Sequence, residues 1–219
     1  MTDYVNQISS FTSILDSNLK ETIINDNRIC FFIKYCEKIY LITASHDISE
    51  NSDLYLSDNN SLIKGNKIFL PELDLLIIEL SYTERPYFDL DVESYFNNYY
   101  NIDSKNITFL NSKKRICEIK SITYEISNYN NICLPDMIKF LARYNGEEIY
   151  GCSGSPVLMD EKICGIISGF NEKVIIITPF IFVKRVLDEY IKYNKFSGIC
   201  GFYYKTKYVG KNLYASNLL

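Results

Sequence analysis

The sequence predicts an all-β protein, a sandwich or a pair of barrels, followed by one helix toward the C-terminal side. Three observations carry that expectation. Short runs rich in Ile, Val, Leu, Phe and Tyr recur with turn residues between them. No long helical periodicity occurs before residue 179. Finally, 219 residues of which 47% are apolar suffice to fill two small β units that share a cleft.

In chain order, residues 1–27 read as an N-terminal arm with no assigned element. The first β unit, 28–85, holds the runs ICFFIKYC (29–36), KIYLITA (38–44), KIFLP (67–71) and DLLIIEL (74–80). The stretch 81–106 is polar, aromatic and acidic without clean periodicity, which places a connector at 86–105. The second unit, 106–178, carries NITFL (106–110), RICEIKSITYEI (115–126), MIKFLARY (137–144), PVLMD (156–160), KICGIISGF (162–170) and KVIIITP (173–179). From Pro179, PFIFVKRVLDEYIKY sets Phe182, Val183, Val186, Leu187, Tyr190 and Ile191 at helical spacing with charged residues between them, so a helix is expected over 179–193. The tail, 194–219, contains Gly198, Gly201, Gly210 and several tyrosines, and reads equally as a further strand or a surface arm.

Composition narrows the function classes. A net charge of −4 offers no basic field to hold a phosphate backbone, so nucleic acid is not expected as a partner. No apolar stretch approaches the roughly 18 residues of a membrane span, and the first twenty residues lack the basic and apolar regions of a secretory signal. A protein made in the cytosol, cytoplasmic or virion-associated, is the expectation. Seven cysteines without a CxxC pair suit reduced thiols better than a disulfide framework or a zinc site. With a single histidine no metal ligand set is proposed, and no cofactor is expected.

Chemistry concentrates in three strings. The sole histidine, His46, lies in LITASHDIS, where an apolar run ends in small residues. Asp74 opens DLLIIEL. Ser153 lies in YGCSGSPVL between Gly151 and Gly154. A base, an orienting carboxylate and a hydroxyl are the three parts of a serine hydrolase triad, in the chain order His, Asp, Ser. Each has a plainer explanation. Gly, Ser and Pro make ordinary turns, a lone histidine is often structural, and an aspartate often ends the loop before a strand. Asp47, Asp53 and Asp58 are weaker rivals to Asp74 because none opens such a strand. The α/β-hydrolase elbow G-x-S-x-G is not met, because position 155 is Ser.

Gly151-Cys152-Ser153-Gly154-Ser155-Pro156, followed by VL, the turn MDEK and ICGIISG, resembles the trypsin-like (chymotrypsin-fold) serine peptidases. Within them it is most similar to the Gly-x-Ser-Gly-Ser/Gly-Pro-Val pattern of the compact bacterial, heat-shock and viral branches. LITASHDI resembles the family's Thr-Ala-Ala-His segment, with Ser45 at the second Ala, and DLLIIEL its Asp-opened strand. The resemblance covers roughly 28–193. It implies two six-stranded antiparallel β-barrels with the cleft between them, a C-terminal helix, and hydrolysis of peptide bonds through an acyl-enzyme. His46 would be the base, Asp74 its orienter, Ser153 the nucleophile, and the backbone N–H groups of Gly151 and Ser153 the oxyanion hole.

The departures from the family have consequences of their own. Cys152 stands where digestive members carry the aspartate that pairs with a new N-terminus, so that activation switch is not expected. The register makes Ser153, not Cys152, the nucleophile. The lack of a second histidine argues against the branches that cleave after Glu or Gln. Glu147 falls near the pocket acid of trypsin-type members and implies a basic P1 residue. Ser168, Gly169 and Phe170 resemble the segment that pairs with substrate as an added strand, where the bulk of Phe170 would favour small P1 residues instead. The tail is too short for a PDZ domain, which leaves a bare catalytic unit. A polypeptide substrate is the expected partner, with self-processing or an assembly partner left open. The rival from another class is a protease-fold structural or peptide-binding protein, for example a virion component, with weak, latent or no activity.

Overall fold

The computed structural model describes residues 8–14, 28–56, 61–90, 107–111, 116–127, 137–144, 149, 151–160, 162–171 and 174–193. They form two mostly antiparallel sheets and one helix. The first sheet comprises β1 (Ile8–Ile14), β2 (Arg28–Tyr35), β3 (Lys38–Thr43), β4 (Asp53–Leu56), β5 (Asn66–Leu70), β6 (Leu75–Leu80) and the two-residue β7 (Phe88–Asp89). The second comprises β8 (Ile107–Leu110), β9 (Ile116–Ser127), β10 (Met137–Tyr144), β11 (Pro156–Met159), β12 (Lys162–Asn171) and β13 (Val174–Pro179), after which α1 (Phe180–Tyr193) closes the described chain.

The second sheet runs β10-β13-β12-β11-β8-β9 and closes on itself as a six-stranded barrel. The first does not match the expected closed six-stranded barrel. Its path is β4-β1-β2-β3-β6-β5, with β7 as a seventh strand on β2. The extra strand arises because β1 pairs only with residues 28–31 of β2, leaving Ile33 and Lys34 to take β7 in parallel. The ladder is open between β4 and β5. There the chain leading to β5 folds back on β4, with a Tyr55–Leu62 bridge and hydrogen bonds from Leu56 N–H to Ser61 O and from Ile63 N–H to Leu54 O. Seen as a circuit, both sheets follow one strand permutation, a repeat that no sequence periodicity reveals.

Segment 1–27, read as an arm, thus supplies β1, inserted between β2 and β4, and β7 falls inside the region read as connector. The apolar runs at the centre of the first sheet are explained by burial on both faces. Phe31, Ile33, Tyr40, Ile42, Leu75 and Ile77 join a core shared with the second barrel and α1. The intervening Cys30, Phe32, Leu41, Leu76 and Ile78 fill a second cluster with Ile48, Leu54 and Ile63. A strand packed on two sides has no polar face to alternate.

The expected helix is present, and Phe182, Val183, Val186 and Leu187 are buried with Phe180. Phe180 meets Phe31 of β2 at 6.5 Å between ring centroids, and Phe31 meets Phe88 of β7 edge-to-face at 5.9 Å. On the polar side of α1, Tyr35 of β2 donates to Asp188, and Lys184 Nζ lies 3.1 Å from the Tyr35 hydroxyl and 2.9 Å from Asp188 Oδ2. The helix that follows β13 therefore also grips the first sheet.

Burial, reinforced by the Asp188 carboxylate, pushes the Tyr35 phenol up to about 12 from its ordinary 10.0. A folded-state value above the unfolded one favours folding below pH 10 and loses that contribution as pH rises toward 12, because the unfolded chain gives up its proton first. Denaturant titrations from pH 9 to 12 should show stability falling more steeply in the native chain than in Tyr35→Phe.

Candidate active site

His46 is delivered by the end of β3. The Thr43 hydroxyl donates to Ile29 O at 2.8 Å, tying the strand end to β2, and the small residues Ala44 and Ser45 are buried there. The chain then turns sharply, with Ile48 N–H bonded to Ser45 O and Asp47 at φ 58°. This leaves the His46 side chain 35% exposed.

Asp74 reaches the same place from β5. Pro71 opens a single 3-10 turn, Pro71–Leu73, and Asp74 caps it in the left-handed region at φ 52°, ψ 49°, its N–H bonded to Pro71 O. An aspartate tolerates this conformation better than a branched residue would. Its buried carboxylate receives main-chain, imidazole and hydroxyl donors, the Ser45 hydroxyl lying 3.5 Å from Oδ1. Oδ1 accepts the backbone N–H of His46 at 2.7 Å and of Ser45 at 3.1 Å, and His46 Nδ1 lies 3.0 and 2.9 Å from the two oxygens. The main-chain bonds fix the carboxylate against the loop that carries the imidazole. The ring then presents Nδ1 to Asp74 and leaves Nε2 on its far side.

Ser153 lies in the turn before β11. Gly151 and Gly154 both have positive φ, 79° and 86°, and the turn is built by Cys152 N–H to Ile149 O and Ser155 N–H to Cys152 O. Gly154 N–H to Ile167 O and Ile167 N–H to Ser155 O strap it to β12. The amides of Gly151 and Ser153 donate to no other described residue. The Cys152 side chain is fully buried in the core, and the Ser155 hydroxyl is buried and donates to Leu110 O at 2.9 Å. Of the three nucleophilic side chains in this string, only that of Ser153 is partly exposed.

The serine turn and the histidine strand touch directly. Ile29 N–H donates to Ser153 O at 3.2 Å. A Cβ on Gly154 would fall 2.1 Å from Ile29 O, 2.4 Å from Thr43 Oγ1 and 3.2 Å from Ala44 N. The main chain beside Ser153 is thus packed against residues 43–44, two positions before His46.

The residues read as substrate-binding divide. Ser168 is buried and its hydroxyl pairs with that of Thr178, so its side chain is engaged in the protein interior. Gly169 is open, with nothing within 4 Å of where a Cβ would stand, and Phe170 is exposed. Glu147 lies outside the described residues. Sequence reasoning passed over Thr178, whose hydroxyl donates to Leu73 O at 3.1 Å. A hydroxyl alone in the run VIIITP was the available signal, since a buried hydroxyl needs a partner.

No protein-family model and no curated protein matches this chain. Solved structures do. The active form of the Rv3671c protease from M. tuberculosis superposes with a TM-score of 0.60 at 11% identity, covering 84% of this chain and 80% of that one. An inactive serine-to-alanine mutant of Rv3671c gives 0.58 at 10% identity, covering 87% and 89%. This chain therefore has the trypsin-like fold, a framework it shares with a protease at a level of identity that speaks for the fold alone.

Gly154→Ala should be among the most damaging small changes, since it forces a Cβ onto the Ile29 carbonyl at a positive φ. A loss of about 1–3 kcal/mol is expected from overpacking, read as a lowered midpoint in denaturant unfolding.

Proposed function

We propose that this protein is a serine endopeptidase. The observation that carries the reading is the imidazole of the chain's only histidine, held by a buried carboxylate through Nδ1, at the end of a strand against which the turn of a glycine-flanked, partly exposed serine is packed. In this reading Ser153 Oγ attacks the substrate carbonyl while His46 Nε2 takes its proton. The tetrahedral oxyanion is met by the N–H groups of Gly151 and Ser153, and His46 returns the proton to the leaving amine. Water, deprotonated by the same imidazole, then attacks the acyl-enzyme to release the second product and free Ser153. Asp74 holds the tautomer and offsets the charge of the transient imidazolium.

Three features support these assignments. The Gly151 and Ser153 amides alternate with amides committed to the turn, as an oxyanion hole requires of preorganised donors. Gly169 leaves space beside β12, where an extended peptide would lie. Cys152 is buried in the core, which disfavours it as the nucleophile. The preference at P1 follows the exposed Phe170, which narrows the approach and favours small residues.

A fluorophosphonate probe tests the reading directly. The native chain should be labelled, Ser153→Ala should not, and His46→Ala should react far more slowly. Asp74→Asn should lower kcat by about 10⁴-fold through the wrong histidine tautomer. A native chain that resists the probe while folded would overturn the enzyme and leave a protease fold serving a binding or structural part.

A further inference from the structure

The turn that carries Asp74 is held by the opposite half of the molecule. Leu73 C=O and Asp74 N–H belong to one peptide unit. Within the turn, the N–H is bonded to Pro71 O. From β13, the Thr178 hydroxyl donates to the C=O, and Thr178 is in turn paired with Ser168 of β12. All three residues are almost wholly buried, Leu73 at 3%, Thr178 at 1% and Ser168 at 5% exposure, so water does not compete for these bonds. We propose that Thr178 is a positioning residue, which pins the Leu73–Asp74 peptide and through it the angle at which the Asp74 carboxylate meets His46.

The left-handed conformation of Asp74 makes the pin necessary. Such backbone states persist only where the surroundings over-determine them, and rotation of this peptide unit would swing the Asp74 Cα–Cβ bond. The carboxylate would then leave the 2.9–3.0 Å contacts to Nδ1, and the ring would lose its preference for the Nδ1–H tautomer. Ser168 limits the rotation of the Thr178 side chain by engaging the same hydroxyl. This role rests on the reading of His46 and Asp74 as base and orienter. It adds a residue from the second barrel to a pair contributed entirely by the first sheet.

Because His46 is the only histidine, its ring signals in ¹H–¹⁵N spectra need no assignment. The native chain and Thr178→Ser should each show one Nδ1–H tautomer. Thr178→Val, which removes the hydroxyl at nearly constant shape, should mix the tautomers and speed exchange of the Nδ1 proton by about tenfold. Its kcat should fall by about 10- to 100-fold with KM held within about twofold, as expected of misplacement rather than lost binding, and Thr178→Ser should restore most of it. A folded Thr178→Val with the native His46 spectrum overturns the proposal. Where Thr178→Val does not fold, Ser168→Ala takes its place, with a smaller tautomer shift expected and an unchanged spectrum overturning the proposal. The spectrum needs no turnover, so a native chain that proves catalytically inert would refute the peptidase reading while leaving Thr178 to be decided by the tautomer.

Discussion

The close contact between the Ser153–Gly154 turn and the paired ends of β2 and β3 is the constraint on which the site depends. Ile29 is its hub. The N–H of Ile29 reaches Ser153 O, its carbonyl accepts the Thr43 hydroxyl, and the same carbonyl lies where a side chain at position 154 would have to go. Two sheets with independent hydrogen-bond networks are thereby brought together at one place, with glycine as the residue that permits it. The histidine loop and the serine turn are positioned by this main-chain contact, whose geometry does not depend on the flexible side chains themselves.

Around that contact the described residues share a continuous apolar core. The core that begins on one face of the first sheet continues through the second barrel and under α1. Phe31 illustrates how, touching β7 on one side and the helix on the other. The polar grip of Tyr35, Lys184 and Asp188 adds directional bonds to an otherwise non-directional apolar interface. Burial on both faces of β2, β3 and β6 packs the strands adjoining His46 and Asp74 from two sides.

The His46–Asp74 pair is assembled almost entirely within the first sheet, yet its surroundings come from both halves. A carboxylate with two main-chain donors, the Ser45 hydroxyl and one imidazole is satisfied without bulk water. Buried polar groups of this kind hold one arrangement because every alternative leaves a donor or acceptor unpaired. The same logic accounts for the buried Ser155 hydroxyl, which spends itself on Leu110 O and leaves Ser153 as the partly exposed hydroxyl of the Cys-Ser-Gly-Ser string.

Much was legible from the residues alone. Runs such as LLIIEL and GIISGF announce strands because their apolar and β-branched content has no helical period, and the α1 stripe of Phe182, Val183, Val186 and Leu187 announces a helix by the same logic. His46 and Ser153 stood out by small-residue and glycine neighbours, which mark places where the backbone must approach closely, and Asp74 by opening the apolar run DLLIIEL. Other elements were not legible. β1 is the serine- and threonine-rich ISSFTSI, β4 is four residues in a polar stretch, and β7 is two residues long. Their strand character comes from neighbours that use their hydrogen bonds, not from local preference. Chain order and residue type determined which groups were available and which positions had to be glycine. Only the tertiary structure decided that Nδ1 of His46 faces Asp74, that Gly154 seats against Ile29 and Thr43, and that Thr178 reaches Leu73. Those are contacts between residues distant in the chain, Thr178 and Leu73 being 105 positions apart and Gly154 and Ile29 farther still, and they exist because an open sheet and a closed barrel are packed on a common apolar core.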